Sequence, residues 1–157
     1  MSPLYRAELG WMYWTAGHLQ EAYDSARTAV ELDPEFAMGQ TFFAEIAADL
    51  GHHDEAIAAG GKAWKFALAY AHARAGNRAQ ARSIAADLAR NPKPIHGWGL
   101  AEVYAALGDN EEALRWLEFG TQQRFSWMPW LRRNPSWNSL HSDPRFINLA
   151  HQMNVPD

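Results

Sequence analysis

Four consecutive residues, His52-His53-Asp54-Glu55, form the densest run of metal-ligating side chains in the sequence. A metal draws its ligands from spaced positions that converge on one face, whereas adjacent side chains point apart, so the run does not read as a metal site. Gly60-Gly61-Lys62 has the residue types of a phosphate loop but is too short to wrap a phosphate. The serine nucleophile elbow, the full phosphate-loop signature and the paired-histidine zinc motif are all absent. There is no cysteine, which excludes disulfides and thiolate metal centres. No metal and no cofactor is therefore expected. Arg132-Arg133 reads as a solvated turn or a small anion site. The remaining chemistry lies in carboxylates set among aromatic rings, for the chain carries 8 Trp and is 13% aromatic. Which rings and acids meet depends on the elements that carry them.

Composition bounds those elements. The 157 residues are 48% hydrophobic and 20% charged, enough for one globular domain with a sizeable core. The net charge of −4 argues against a general nucleic-acid binder, which needs a basic face for phosphates. The opening MSPLYRAELG lacks the order of a signal peptide, and no apolar run is long enough to span a membrane, so a cytoplasmic location is expected.

The chain repeats itself. Gly17, Gly51, Gly76 and Gly108 are spaced by 34, 25 and 32 residues. The same offsets relate Ala22, Ala56, Ala81 and Ala113, then Leu9, Phe43, Leu68 and Leu100. They also relate Gly10, Ala44, Ala69 and Ala101, and Tyr13, Ala47, His72 and Tyr104. Each unit reads as two helices, A and B, joined at the glycine, with apolar residues at helical spacing. Asp33-Pro34 breaks helix B of the first unit. The small-residue columns permit close approach of A to B.

Leu9, Gly10, Tyr13, Gly17, Ala22, Ala29 and Pro34 sit at the spacing of the tetratricopeptide repeat, which the chain resembles over roughly residues 3–120. The resemblance implies an all-α, right-handed superhelix of about four helix-turn-helix units. Their bounds are about 3–34, 37–61 (shortened), 62–92 and 94–120, followed by a Trp-rich capping segment over 121–157. The arrangement ending in WNSLHSDPRF also resembles the C-terminal repeat segments of bacterial multidomain regulators.

One unit departs from the pattern. Ala22 to Phe43 spans 21 residues, but Ala56 to Leu68 only 12. Helix B of the second unit is thus cut to about two turns, with a break expected at Gly60-Gly61, since glycine costs about 1 kcal/mol inside a helix. A shortened helix leaves neighbouring apolar surface uncovered unless the units tighten locally, and a homodimer through this unit is one expected way to cover it.

In tetratricopeptide arrays the A helices line a concave groove. Here the corresponding face carries Ala7, Trp11 and Trp14, then Thr41, Glu45 and Asp49, then Phe66, Tyr70 and Arg74, and finally Trp98 and Glu102. Such a strip suits an apolar or basic peptide, through stacking, cation–π contact and charge pairing. It differs from the Lys- and Asn-rich clamp with which some family members hold a terminal carboxylate. The same kit suits a carbohydrate, and Glu45, Asp49 and Glu102 would then be candidates for a two-carboxylate hydrolase. A third reading makes the chain a spacer or dimerisation fragment of a larger regulator, and a fourth has the rings simply packing. The expected function is a non-enzymatic protein- or peptide-binding scaffold.

Beyond residue 120, Ser142-Asp143-Pro144 marks a helix start, predicting a last helix over 144–153. Trp127, Trp130 and Trp137 are expected to pack on the fourth unit as a cap.

Overall fold

The computed structural model describes residues 2–153, and every regular element in them is helical. The order is α1 (Pro3–Thr15), α2 (Leu19–Leu32), α3 (Ala37–Leu50), α4 (His53–Gly60), α5 (Lys65–Arg74), α6 (Arg78–Ala89), α7 (His96–Ala106) and α8 (Asn110–Gln122). Two 3-10 turns, Met128–Arg133 and Pro135–Leu140, lead into α9 (Pro144–Gln152). The chain divides into two compact units, Met1–Ile84 and Ala85–Asp157, the division falling within α6.

The turns form where the repeated glycines predict them. Gly17 stands at φ +83°, a conformation that costs little without a Cβ, and the turn glycine of each later unit repeats it. The amide one residue on then reaches back to the carbonyl five positions earlier: His18 to Tyr13 at 2.9 Å, His52 to Ala47 at 2.8 Å, Asn77 to His72 at 2.8 Å and Asp109 to Tyr104 at 2.9 Å. These bonds satisfy carbonyls that a helix end leaves open. The Tyr13, Ala47, His72, Tyr104 column therefore recurs partly because its backbone closes the turn. At the start of α1, Ser2 caps the Tyr5 amide at 3.2 Å with Pro3 in the first helical position.

In the first unit, α1 and α2 meet at Gly10. A Cβ there would lie 3.1 Å from both the Ala22 carbonyl and the Ala26 methyl, so the small-residue columns set the distance between helices. The core holds Trp14, Ile46, Phe66 and Tyr70. In the second unit, Trp98, Leu114, Leu117, Leu131, Trp137, Leu140 and Phe146 form one cluster. Trp137 stands edge-on to Trp98 at 4.6 Å, and Trp127 does so at 6.0 Å. Trp130 differs from its two neighbours in sequence: it is exposed, with the Arg133 guanidinium over its ring at 5.8 Å.

The shortened unit is accommodated without an open apolar face. α4 ends at Gly60 and α5 begins at Lys65, so the chain breaks at the two glycines. A Cβ on Gly60 would lie 2.8 Å from the Leu68 Cα, so the glycine lets α4 and α5 touch backbone to backbone. The large apolar side chains that are exposed among the described residues are Leu4, Tyr5, Met12, Leu32 and Trp130, none of them between 37 and 75. The expected dimer through this unit thus loses its motive, because local tightening already covers the surface.

Candidate functional site

The eleven residues expected on one strip fall into the two compact units, with Ala7 fully buried in the first. Trp11, Trp14, Thr41, Glu45, Asp49, Phe66, Tyr70 and Arg74 belong to the first, and Trp98 and Glu102 to the second. In the first unit, three A helices converge on one acid. Asp49, in the last turn of α3, accepts the Trp14 indole N–H on Oδ2 at 2.9 Å and the Tyr70 hydroxyl on Oδ1 at 2.6 Å. The Arg74 Nε adds an ion pair to Oδ1 at 3.0 Å. The donors come from α1 and from successive turns of α5, four residues apart on one helical face. The Asp49 side chain is 13% exposed and that of Arg74 is 42% exposed.

The remaining strip residues of this unit lie mostly inside. Thr41 donates to the Ala37 carbonyl at 2.9 Å and accepts the Trp64 amide at 3.2 Å, which anchors the chain just before α5. Glu45 is buried one turn before Asp49. Phe66 packs near Trp64 at 5.8 Å. Trp11 is half-buried and tilts against Phe42 at 6.4 Å.

In the second unit, Glu102 is fully buried. It accepts the Trp98 indole N–H, one turn earlier on α7, at 3.1 Å, and the Asn134 amide at 2.5 Å, both on Oε1. Asn134 is buried too, and its Oδ1 accepts the Ser136 amide at 2.8 Å. The Trp137 indole N–H donates to the Leu131 carbonyl.

These positions correct the strip as read from sequence. Trp14, Phe66, Tyr70 and Trp98 are only 1–2% exposed, so their faces are core surface and cannot stack on a sugar or a peptide. Glu45 and Glu102 are buried, and Asp49 already holds a cation and two neutral donors. The preference for a basic partner thereby loses its source, and so does the pairing of these acids as a hydrolase. For Trp14, Tyr70 and Trp98 the physical reason is that a buried indole or phenol needs an acceptor, which Asp49 supplies from a neighbouring helix and Glu102 from the next turn of α7.

Other polar groups are placed by the structure alone. His52 stands just before α4, without a side-chain capping bond, and sets its ring edge-on to Tyr23 at 4.8 Å, while the Tyr23 hydroxyl donates to Glu55 at 2.6 Å. Burial, and then the Glu55 carboxylate, push the Tyr23 phenol above its ordinary range. The run from His52 to Glu55 thus serves a packing contact between α2 and α4. Arg145 of α9 forks onto both oxygens of Glu111 at 2.8 Å and also pairs with Asp143 at 2.9 Å. Its guanidinium holds both carboxyls below their usual range. Between α8 and α9 lies an open cleft of 320 Å³, lined by Glu118, Thr121, Gln122, Arg145, Asn148, Leu149 and Gln152, which includes none of the strip residues.

The sequence carried a signal for one of these groups. Asn134-Pro135 is a turn-starting dipeptide, and Asn134 does cap the second 3-10 turn. Its bond to Glu102, 32 residues away, left no local trace. No helix among the described residues is long and apolar enough to cross a membrane. Two family models described as tetratricopeptide repeat match the chain, one over residues 5–36 and the other over residues 65–87 and 94–118. The matched segments leave out residues 37–64, the pair whose second helix is short. No curated protein and no solved structure matches the chain.

Proposed function

Because the chain belongs to the tetratricopeptide-repeat family, we propose that it works as a non-enzymatic scaffold that binds a protein or peptide on the A-helix face of its first compact unit. Tetratricopeptide repeats generally mediate protein–protein interaction. The observation that carries the reading is the Asp49 carboxylate, which ties Trp14, Tyr70 and Arg74 together. That network supports a preorganised surface, which saves the partner the cost of ordering it. It also leaves the acids as hydrogen-bond acceptors, a role that suits recognition better than proton transfer.

The accessible edge of this face is Trp11, Asp49 and Arg74, while Trp14, Thr41, Glu45, Phe66 and Tyr70 shape it from beneath. Trp11 offers apolar contact area to a partner side chain, and the Arg74–Asp49 pair offers polar register. Trp98 and Glu102 have the beneath-surface role in the second unit. The partner is a protein segment with an apolar anchor.

A thermal-shift screen of the purified chain against peptide and oligosaccharide panels tests the reading. Peptides with an apolar anchor should raise the melting temperature, and Trp11→Ala should abolish that rise while keeping the helical circular dichroism. A shift with sugars accompanied by new reducing ends would replace this function with a hydrolytic one.

A further inference from the structure

In α1, Leu4, Tyr5 and Met12 are 45%, 53% and 61% exposed. At helical spacing they surround Glu8, which is exposed at the centre of the same face. The repeat register shows what this face corresponds to. Glu8 and Met12 align with Phe42 and Ile46 of α3, and with Ala67 and Ala71 of α5, by the 34- and 25-residue offsets. Those four residues are buried. In each case the preceding helix pair packs against the helix that carries them: α1 and α2 against α3, then α3 and α4 against α5. In α1 the same column, Glu8 and Met12, stays open to solvent beside the apolar Leu4 and Tyr5.

We propose that this face of α1 is a docking site for an amphipathic helix of another protein, one whose apolar stripe is accompanied by a Lys or Arg set opposite Glu8. Continuity supports a helix as the occupant, because a helix laid on α1 extends an interface that the chain already forms at α3 and α5. Charge selects a different chain over a second copy. Glu8 is the midpoint of the stretch from Leu4 to Met12, so a two-fold pairing through this face sets Glu8 against Glu8. Each chain also carries a net charge of −4. Like charges apposed in a contact oppose it, and a cation on the partner relieves both costs. This surface does not depend on Asp49 or Arg74, so its fate is separable from that of the A-helix face.

Methionine oxidation followed by mass spectrometry tests the proposal, with exposed Met12 as the reporter and buried Met128 as the internal control. The probe is a synthetic helical peptide with leucines at i, i+3, i+4 and i+7 and one lysine on the stripe's edge, beside a twin with glutamate in place of the lysine. The lysine peptide should slow Met12 oxidation several-fold and leave Met128 unchanged. The glutamate twin should need about tenfold more peptide, as apposed like charges do. Glu8→Lys, an exposed substitution that leaves the core untouched, should reverse the order of the two peptides. Equal protection by both peptides, or by neither, overturns the proposal. So does a Met12 already protected in the free chain, with a dimeric mass assigning the face to a second copy and a monomeric mass to the chain's own residues.

Discussion

Trp14 and Tyr70 donate to opposite oxygens of the same carboxylate, that of Asp49, one from α1 and the other from α5. The two donors are 56 positions apart in the chain. Their shared acceptor links the A helices of three successive units, so the acid works as a joint between repeats. Removing the joint should therefore be felt as lost stability of the first unit.

Asp49→Ala strands a buried indole N–H and a buried phenol and should cost about 3 kcal/mol, since each bond to a charged acceptor is worth about 1.5–3 kcal/mol. Asp49→Asn keeps an acceptor for one donor and should cost roughly half as much. Urea unfolding at neutral pH measures both. A loss under about 0.5 kcal/mol for Asp49→Ala would mean that the network does not hold the helices.

Tyr70→Phe and Trp14→Phe each delete one donor to the carboxylate and should cost about 1.5 kcal/mol or more from the lost bond, with a further packing loss for the smaller ring at position 14. Because the donors share one carboxylate, the double variant should depart from additivity by about 0.5 kcal/mol or more. A strictly additive cycle would show that the two bonds act independently.

Trp11→Ala and Trp98→Ala look equivalent along the strip but should behave differently. Trp11→Ala should leave the fold intact and remove peptide binding. Trp98→Ala empties a site shared with Trp127 and Trp137 and should cost about 3–5 kcal/mol. Near-ultraviolet circular dichroism with denaturant titration separates the two outcomes, and equal stability losses would contradict the assignment.

Asn134→Leu should destabilise the second unit by about 2 kcal/mol, because Glu102 stays buried with one charge-assisted donor fewer. Glu102→Gln in the same background should recover part of the loss by removing the buried charge, and unfolding curves followed through tryptophan emission report both variants. No recovery would place the cost of Asn134→Leu in packing instead.

Acid should weaken the second unit through two of its histidines. Burial, and then Lys93, lower the His96 pKa from its ordinary 6.5, and burial with Arg132 lowers that of His141 from the same value. The unfolded chain then binds protons more readily than the native one, so stability rises with pH across this window. It is complete above pH 6.5 and is lost as pH falls through the lowered values. Melting temperatures at pH 7.5 and 5.5 should differ, and His96→Gln should narrow the gap. A pH-independent melt across that range would exclude this linkage.

Much of the architecture was legible in the residues. The glycine and alanine columns predicted the turns and the close helix contacts, because positive φ and short interhelical distance are demands that few residue types meet. The break at Gly60-Gly61 and the final helix at Pro144 were readable for the same local reason. The expected groove was less readable. Spacing placed Trp14, Tyr70, Glu45, Asp49, Trp98 and Glu102 on one class of helix face without saying which would be covered.

What the sequence by itself determined is the repeat: which segments are helices, where they turn, and which small residues let them pack. Those features follow from interactions within a few residues, and the local pattern specifies them. Tertiary structure alone decided the fate of the acids and aromatics. Asp49 meets Trp14 across 35 residues, and Glu102 meets Asn134 across 32, so whether each became a ligand-facing charge or an internal acceptor depended on what packed against it. The same holds for Met12 and Ile46, which share one place in the repeat. One is open to solvent and the other buried, because burial is a property of the neighbour and not of the residue.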